Sequence, residues 1–145
     1  MYNRILVALD GTQLSESVLS HVEDLASREN SEVILFTVMP EPKPVVVEGR
    51  MVMTADQEWE REKLDAEQYL TKLEWRLRSK GIRVTTAATF GDPAKEIADY
   101  ARRRDVDLIA MATHGRSGLD RLIHGSVSSA VMRMVPTPLL LMKAA

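Results

Sequence analysis

Short apolar runs alternate with helical periodicity along this chain. Ile5 to Leu9 is continuously apolar and is ended by Asp10-Gly11, the pattern of a strand buried on both faces. Val33 to Val38 predicts a second strand, Ile82 to Ala88 a third after the break at Gly81, Leu108 to Ala112 a fourth and Leu139 to Met142 the last. Between the first two, Leu14, Val18, Val22 and Leu25 share one helical face and leave Ser15, Glu16, Ser20, Glu23 and Asp24 for the wet side. Leu64, Leu70, Leu73 and Leu77 mark a long helix from about Asp56 to Lys80. Asp92-Pro93 predicts another start, an acceptor at the cap and proline at the first helical position, with Ile97, Ala98 and Ala101 facing inward. A last helix begins near Ser126 and stops before Pro136, because proline lacks the amide that a continuing helix needs.

Nearly all-apolar strands alternating with helices predict one α/β domain over residues 1–145, doubly wound, with a five-stranded, mostly parallel sheet and helices on both faces. In such sheets a ligand crevice lies beyond the carboxyl ends of the strands where the strand order reverses. Asp10, Val38 and the loop after Ala112 fall at such ends. Pro40 to Ala55 has no periodicity and carries three prolines with Val45-Val-Val47. Loops of that length are functional or loose, so a flap over the site, a surface loop and a dimer contact all stay open.

Composition narrows the function. The 145 residues are 45% hydrophobic and 28% charged, the balance of an ordered globular protein. Nineteen basic against twenty-one acidic residues give a net charge of −2, which argues against nucleic acid or anionic lipid as a main partner. The lack of cysteine excludes disulfides, thiolate metal sites and cysteine nucleophiles. Met1 to Asp10 carries no basic stretch before a long apolar region, and no apolar run approaches the roughly 20 residues that span a bilayer. The expectation is a cytoplasmic protein without a membrane partner.

The chemistry concentrates between Ala112 and Val127. This segment follows a buried strand and precedes a helix, where backbone amides can converge on an anion. Gly115 and Gly118 allow positive φ and leave no Cβ between backbone and ligand. Gly125-Ser126 opens the last helix, so its first-turn amides and the Ser126 hydroxyl can seat a polyphosphate. A lone Gly-x-x-Gly is usually only a turn, and a serine here is often only a cap. Two glycine steps separated by nine residues and closing on Gly-Ser at a helix start are far less common.

Ala112-Thr-His-Gly115, nine residues and then Gly125-Ser126, together with Val7-Ala-Leu-Asp-Gly-Thr12, resembles the universal stress protein family over essentially the whole chain. That resemblance implies an adenine-nucleotide site for ATP or AMP, ATP by preference. Asp10 would meet the adenine or ribose end, Ala8 and Val38 would line the base and sugar pocket, and Gly115, Gly125, Ser126 and Val127 would hold the phosphates. The family motif begins with glycine where this chain has Ala112; alanine fits in extended geometry, with reduced affinity expected rather than loss. Arg116 and Arg121 lie inside the loop and are placed to meet phosphate oxygens, although arginine in a loop is also ordinary solvated surface.

Other candidates read more simply. His114, His21 and His124 have no metal-ligand spacing, and His114 is better taken as a loop residue than as an acid or base. Arg102-Arg103-Arg104 suits the negative end of a helix, and Ser128 and Ser129 suit a first turn. Leu139 to Met142, an apolar strand at a sheet edge, invites antiparallel pairing with its copy and an isologous homodimer, as the resemblance also implies. Three functions compete: a nucleotide-binding stress-response regulator, a slow ATPase, and a dimeric interaction protein with an empty pocket. No general base beside the loop and no P-loop lysine favour an enzyme. Magnesium would come with ATP, since no carboxylate cluster marks a protein-made metal site.

Overall fold

The computed structural model describes residues 1–41, 43–114 and 126–144. Its main sheet comprises β1 (Arg4–Leu9), β2 (Glu32–Met39), β5 (Arg83–Phe90), β6 (Leu108–His114) and β7 (Leu139–Ala144). They lie in the order β5-β2-β1-β6-β7, and every neighbouring pair is parallel. The chain works outward from β1 to β5 on one side, then crosses to β6 and β7 on the other, so the order reverses between β1 and β6.

Helices α2 (Leu19–Glu29) and α3 (Ala55–Arg78) cover one face; α4 (Pro93–Arg103) and α5 (Ser126–Met134) cover the other. Side chains alternate across a strand. Ile5, Val7 and Leu9 of β1 therefore join Val33 and Leu35 of β2 under Val18, Val22, Leu70 and Leu77. Leu6, Ile34 and Phe36 point the other way, into Ile97, Ala98, Ile109 and Val131. Burying each such leucine or isoleucine contributes about 1.5–3 kcal/mol, which explains why these strands read as unbroken apolar runs.

Several boundaries differ from the sequence expectation. The first helix is interrupted: α1 (Gln13–Glu16) ends where the Ser17 amide and hydroxyl both donate to the Leu14 carbonyl, at 3.0 and 2.6 Å, tightening the turn before α2. β5 runs on to Phe90 and β6 to His114, because β2 and β7 supply partners to those points. Leu64, expected to face the core, is 54% exposed. Ser15 and Glu23, expected in water, are both buried. Glu23 is offset by Arg76 at 2.6 Å and Lys80 at 2.7 Å, cations from α3 and the turn after it that no local periodicity reveals. Burial alone would raise the Glu23 carboxyl, but the Arg76 and Lys80 hydrogen bonds and charges outweigh it and hold it below the usual carboxylate range.

The segment after β2 is a β-ribbon rather than an irregular loop. β3 (Val45–Val47) pairs antiparallel with β4 (Arg50–Met53). Glu48 and Gly49 both take positive φ, 51° and 76°, the requirement of a two-residue hairpin turn. Thr54 then closes a capping box with Gln57 and starts α3.

Candidate functional site

A cavity of about 200 Å³ opens at the carboxyl ends of β1, β2 and β6, where the strand order reverses. Ala8 and Asp10 come from β1 and its exit, Phe36 and Val38 from β2, Met111 and Ala112 from β6, Pro93 and Ile97 from α4, and Val127 from the first turn of α5. Ala8 is the register partner of Phe36, and Val38 lies two residues further along the same face, so the pleat alone brings these three together. The walls are chiefly carbon. Phe36 stacks on Tyr100 of α4 with ring centroids 4.6 Å apart, which fixes the cavity's inner side.

Polar groups gather at the rim. Asp10 Oδ1 accepts from both the amide and the hydroxyl of Thr12, at 3.0 and 2.5 Å. Thr12 in turn caps α1, accepting from the Ser15 amide at 3.1 Å. Ser15 Oγ donates to the Thr12 carbonyl at 2.9 Å and accepts from the Asp10 amide at 3.2 Å. These bonds lock the β1 exit and hold an exposed carboxylate at the mouth of an apolar chamber. Asp10 also borders a more open groove of about 420 Å³ with Arg61 and Tyr69 of α3. Burial and then the bond to Glu16, 2.7 Å from the phenol oxygen, keep Tyr69 protonated well above its ordinary range.

Of the residues singled out in the sequence, Ala8, Asp10, Val38, Ala112 and Val127 line this cavity. Ala112 sits within β6, opposite Met142 of β7, in strand geometry. Ser126 is exposed at the first position of α5, next to Val127. Gly115, Arg116 and Gly125 lie outside the described residues, as do Gly118, Arg121 and His124. Sequence reasoning passed over Leu9, Ser15, Phe36, Pro93, Ile97 and Met111, which also line the cavity. Phe36 was accessible to it, being two residues before Val38 on the same face; Ile97 was not, because its approach depends on how α4 docks. Among the described residues no group of three or more His, Asp and Glu side chains could hold a metal ion. No helix among them is long and apolar enough to cross a membrane.

Residues 1–143 match the profile of the Universal stress protein family. This chain belongs to that family. A universal stress protein of Methanothermobacter thermautotrophicus is 34% identical over 140 residues, covering 94% of this chain and 92% of that protein. The solved structure of universal stress protein MJ0577 of Methanocaldococcus jannaschii aligns with a TM-score of 0.83 at 28% identity, covering 100% of this chain and 98% of that one. A universal stress protein of Archaeoglobus fulgidus, solved in complex with dAMP, shares the fold with a TM-score of 0.69 at 19% identity, covering 98% of each chain. The family match and the likeness to these solved structures both run over nearly the full length of the chain.

Proposed function

We propose that this universal stress protein is a regulatory protein that binds an adenine nucleotide, ATP in preference to AMP, and acts as a cytoplasmic homodimer. The observation that carries the reading is the carbon-walled cavity at the β1/β6 reversal, with Asp10 at its mouth and Val127 of the α5 first turn in its wall. Its walls suit a flat purine, and the Asp10 carboxylate is a good acceptor for ribose hydroxyls. The N-terminal turn of α5, with Ser126 and the glycine steps at Gly115 and Gly125, suits the phosphates through its backbone amides and the positive end of the helix dipole. Arg116 is the side chain nominated to reinforce them. The dAMP complex of the Archaeoglobus fulgidus relative supports the ligand class. Magnesium would arrive with ATP, held by phosphate oxygens.

The homodimer reading rests on β7. It pairs with β6 on one side and ends the sheet on the other, with Leu141 41% exposed. Antiparallel pairing of Leu139 to Met142 with the same strand of a second copy would satisfy that edge.

The test is to purify the chain without added nucleotide, denature it and identify what is released, then titrate the emptied protein with ATP and AMP by calorimetry. Co-purified adenine nucleotide and tighter ATP binding are expected, with both lost in Gly125→Val because the added side chain fills the space a phosphate needs. Protein indifferent to both nucleotides would overturn the reading and leave a dimeric interaction protein. Steady ADP release that Gly125→Val abolishes would make it an ATPase.

A further inference from the structure

A groove of about 540 Å³, distinct from the cavity at the β1/β6 reversal, borders the sheet at β5. One wall is α3, through Trp59, Lys63, Glu67 and Thr71; the other is β5, the strand that ends the sheet opposite β7. Five consecutive β5 residues, Thr86 to Phe90, line it. Met39 of β2 and Leu70 of α3 also line it, so the groove lies on the α3 side of the sheet and follows β5 along the end of that sheet.

The hydrogen-bond pattern identifies which backbone groups face it. Gly91 donates its amide to the Met39 carbonyl at 3.0 Å, so by the parallel-ladder alternation Ala87 and Thr89 turn their backbone groups toward β2. Those of Thr86, Ala88 and Phe90 turn outward. Val84 has the same outward parity, and its carbonyl accepts from Arg78 Nη2 at 3.1 Å, which covers the edge at that end only. The amides and carbonyls of Thr86, Ala88 and Phe90 have no partner among the described residues. The edge carries no proline and no bulge, the usual devices that block pairing.

The α3 wall adds a charge pattern. Lys63 lies over the Trp59 ring at 4.8 Å, and Trp59 stacks on Phe90 at 5.6 Å, so the ammonium is fixed near the Phe90 end. Neither Lys63 nor Glu67 forms an ion pair among the described residues. One helical turn separates them, about 6 Å of rise, and alternate residues of an extended chain are about 6.6 Å apart. An acidic and a basic side chain two positions apart on an added strand would meet both.

We propose that this groove captures an extended peptide segment of a partner protein by strand addition to β5. The peptide's backbone bonds to Thr86, Ala88 and Phe90, its acidic residue faces Lys63, and its basic residue, two positions away, faces Glu67. This is the edge-plus-helix mode of peptide recognition, in which main-chain bonds give affinity and alternate side chains give selectivity.

The probes are two capped seven-residue peptides, Thr-Val-Glu-Val-Lys-Val-Thr and its reversed charge order Thr-Val-Lys-Val-Glu-Val-Thr, which suit antiparallel and parallel addition respectively. Titrated into the full chain and followed by amide NMR, at least one should shift Thr86, Ala88 and Phe90 and slow their hydrogen exchange. N-methylation of alternate amides in the binding peptide should weaken it by about tenfold, the loss of one or two main-chain bonds. Lys63→Glu, on an exposed helical face, should weaken the same peptide and be compensated when the peptide's glutamate is replaced by lysine. No response to either peptide, binding that tolerates N-methylation, or a self-associated chain whose own copy protects these three amides would overturn the proposal. Each readout is independent of nucleotide, so it stands or falls separately from the reading of the cavity.

Discussion

Thr12 donates twice to one oxygen of Asp10, through its amide at 3.0 Å and its hydroxyl at 2.5 Å, so the carboxylate at the cavity mouth is held by the residue that caps the following helix. Asp10→Asn keeps an acceptor at that position and should leave stability within about 0.5 kcal/mol. Asp10→Ala removes both bonds and should cost about 1–2 kcal/mol. If the nucleotide reading is correct, both variants weaken ATP, the asparagine by about tenfold through loss of a charge-assisted bond to ribose. Urea unfolding and calorimetry on the same samples separate the two effects; equal ATP affinity in all three proteins would remove Asp10 from the site.

Phe36 is 1% exposed and stacked on Tyr100 between the cavity and α4. Phe36→Ala should destabilise by about 3–5 kcal/mol, through lost burial and the void left behind. Phe36→Leu should cost less while still loosening the cavity's inner wall. Denaturant midpoints at constant m-value give the comparison.

Acid should expose the Glu23 cluster. Its folded-state carboxyl lies below the ordinary value because Arg76 and Lys80 overcome the burial penalty. The stabilisation is therefore complete above the ordinary carboxylate range and is lost as pH falls through the lowered folded value. Glu23→Gln should flatten the acid limb of the stability curve and cost about 1–2 kcal/mol at pH 7. A variant with the wild-type acid limb would show that the cluster contributes nothing.

At the junction of ribbon and helix, Thr54 accepts from the Gln57 amide at 3.1 Å while its own amide donates to Gln57 Oε1 at 2.9 Å. Thr54→Ala should lower stability by about 1 kcal/mol and Thr54→Ser by much less. Thermal unfolding midpoints decide this.

The central strands were the most legible in the sequence because both of their faces are covered, which forces them to be apolar along their length; β1 and β2 show this most plainly. The α4 start was legible too, since Asp92 and Pro93 act locally; the spacing from Ala112 to Ser126 only nominated a candidate site. Interactions between elements were hidden. Glu23 looked like a wet helix position until α3 and the turn after it brought Arg76 and Lys80, 53 and 57 residues away, against it. Ile97 entered the cavity wall only through the docking of α4, and Thr86, Ala88 and Phe90 became an open edge only once the strand order was set. Periodicity reports which face of an element is buried; what that face meets depends on elements distant in the chain, and only the tertiary structure decides it.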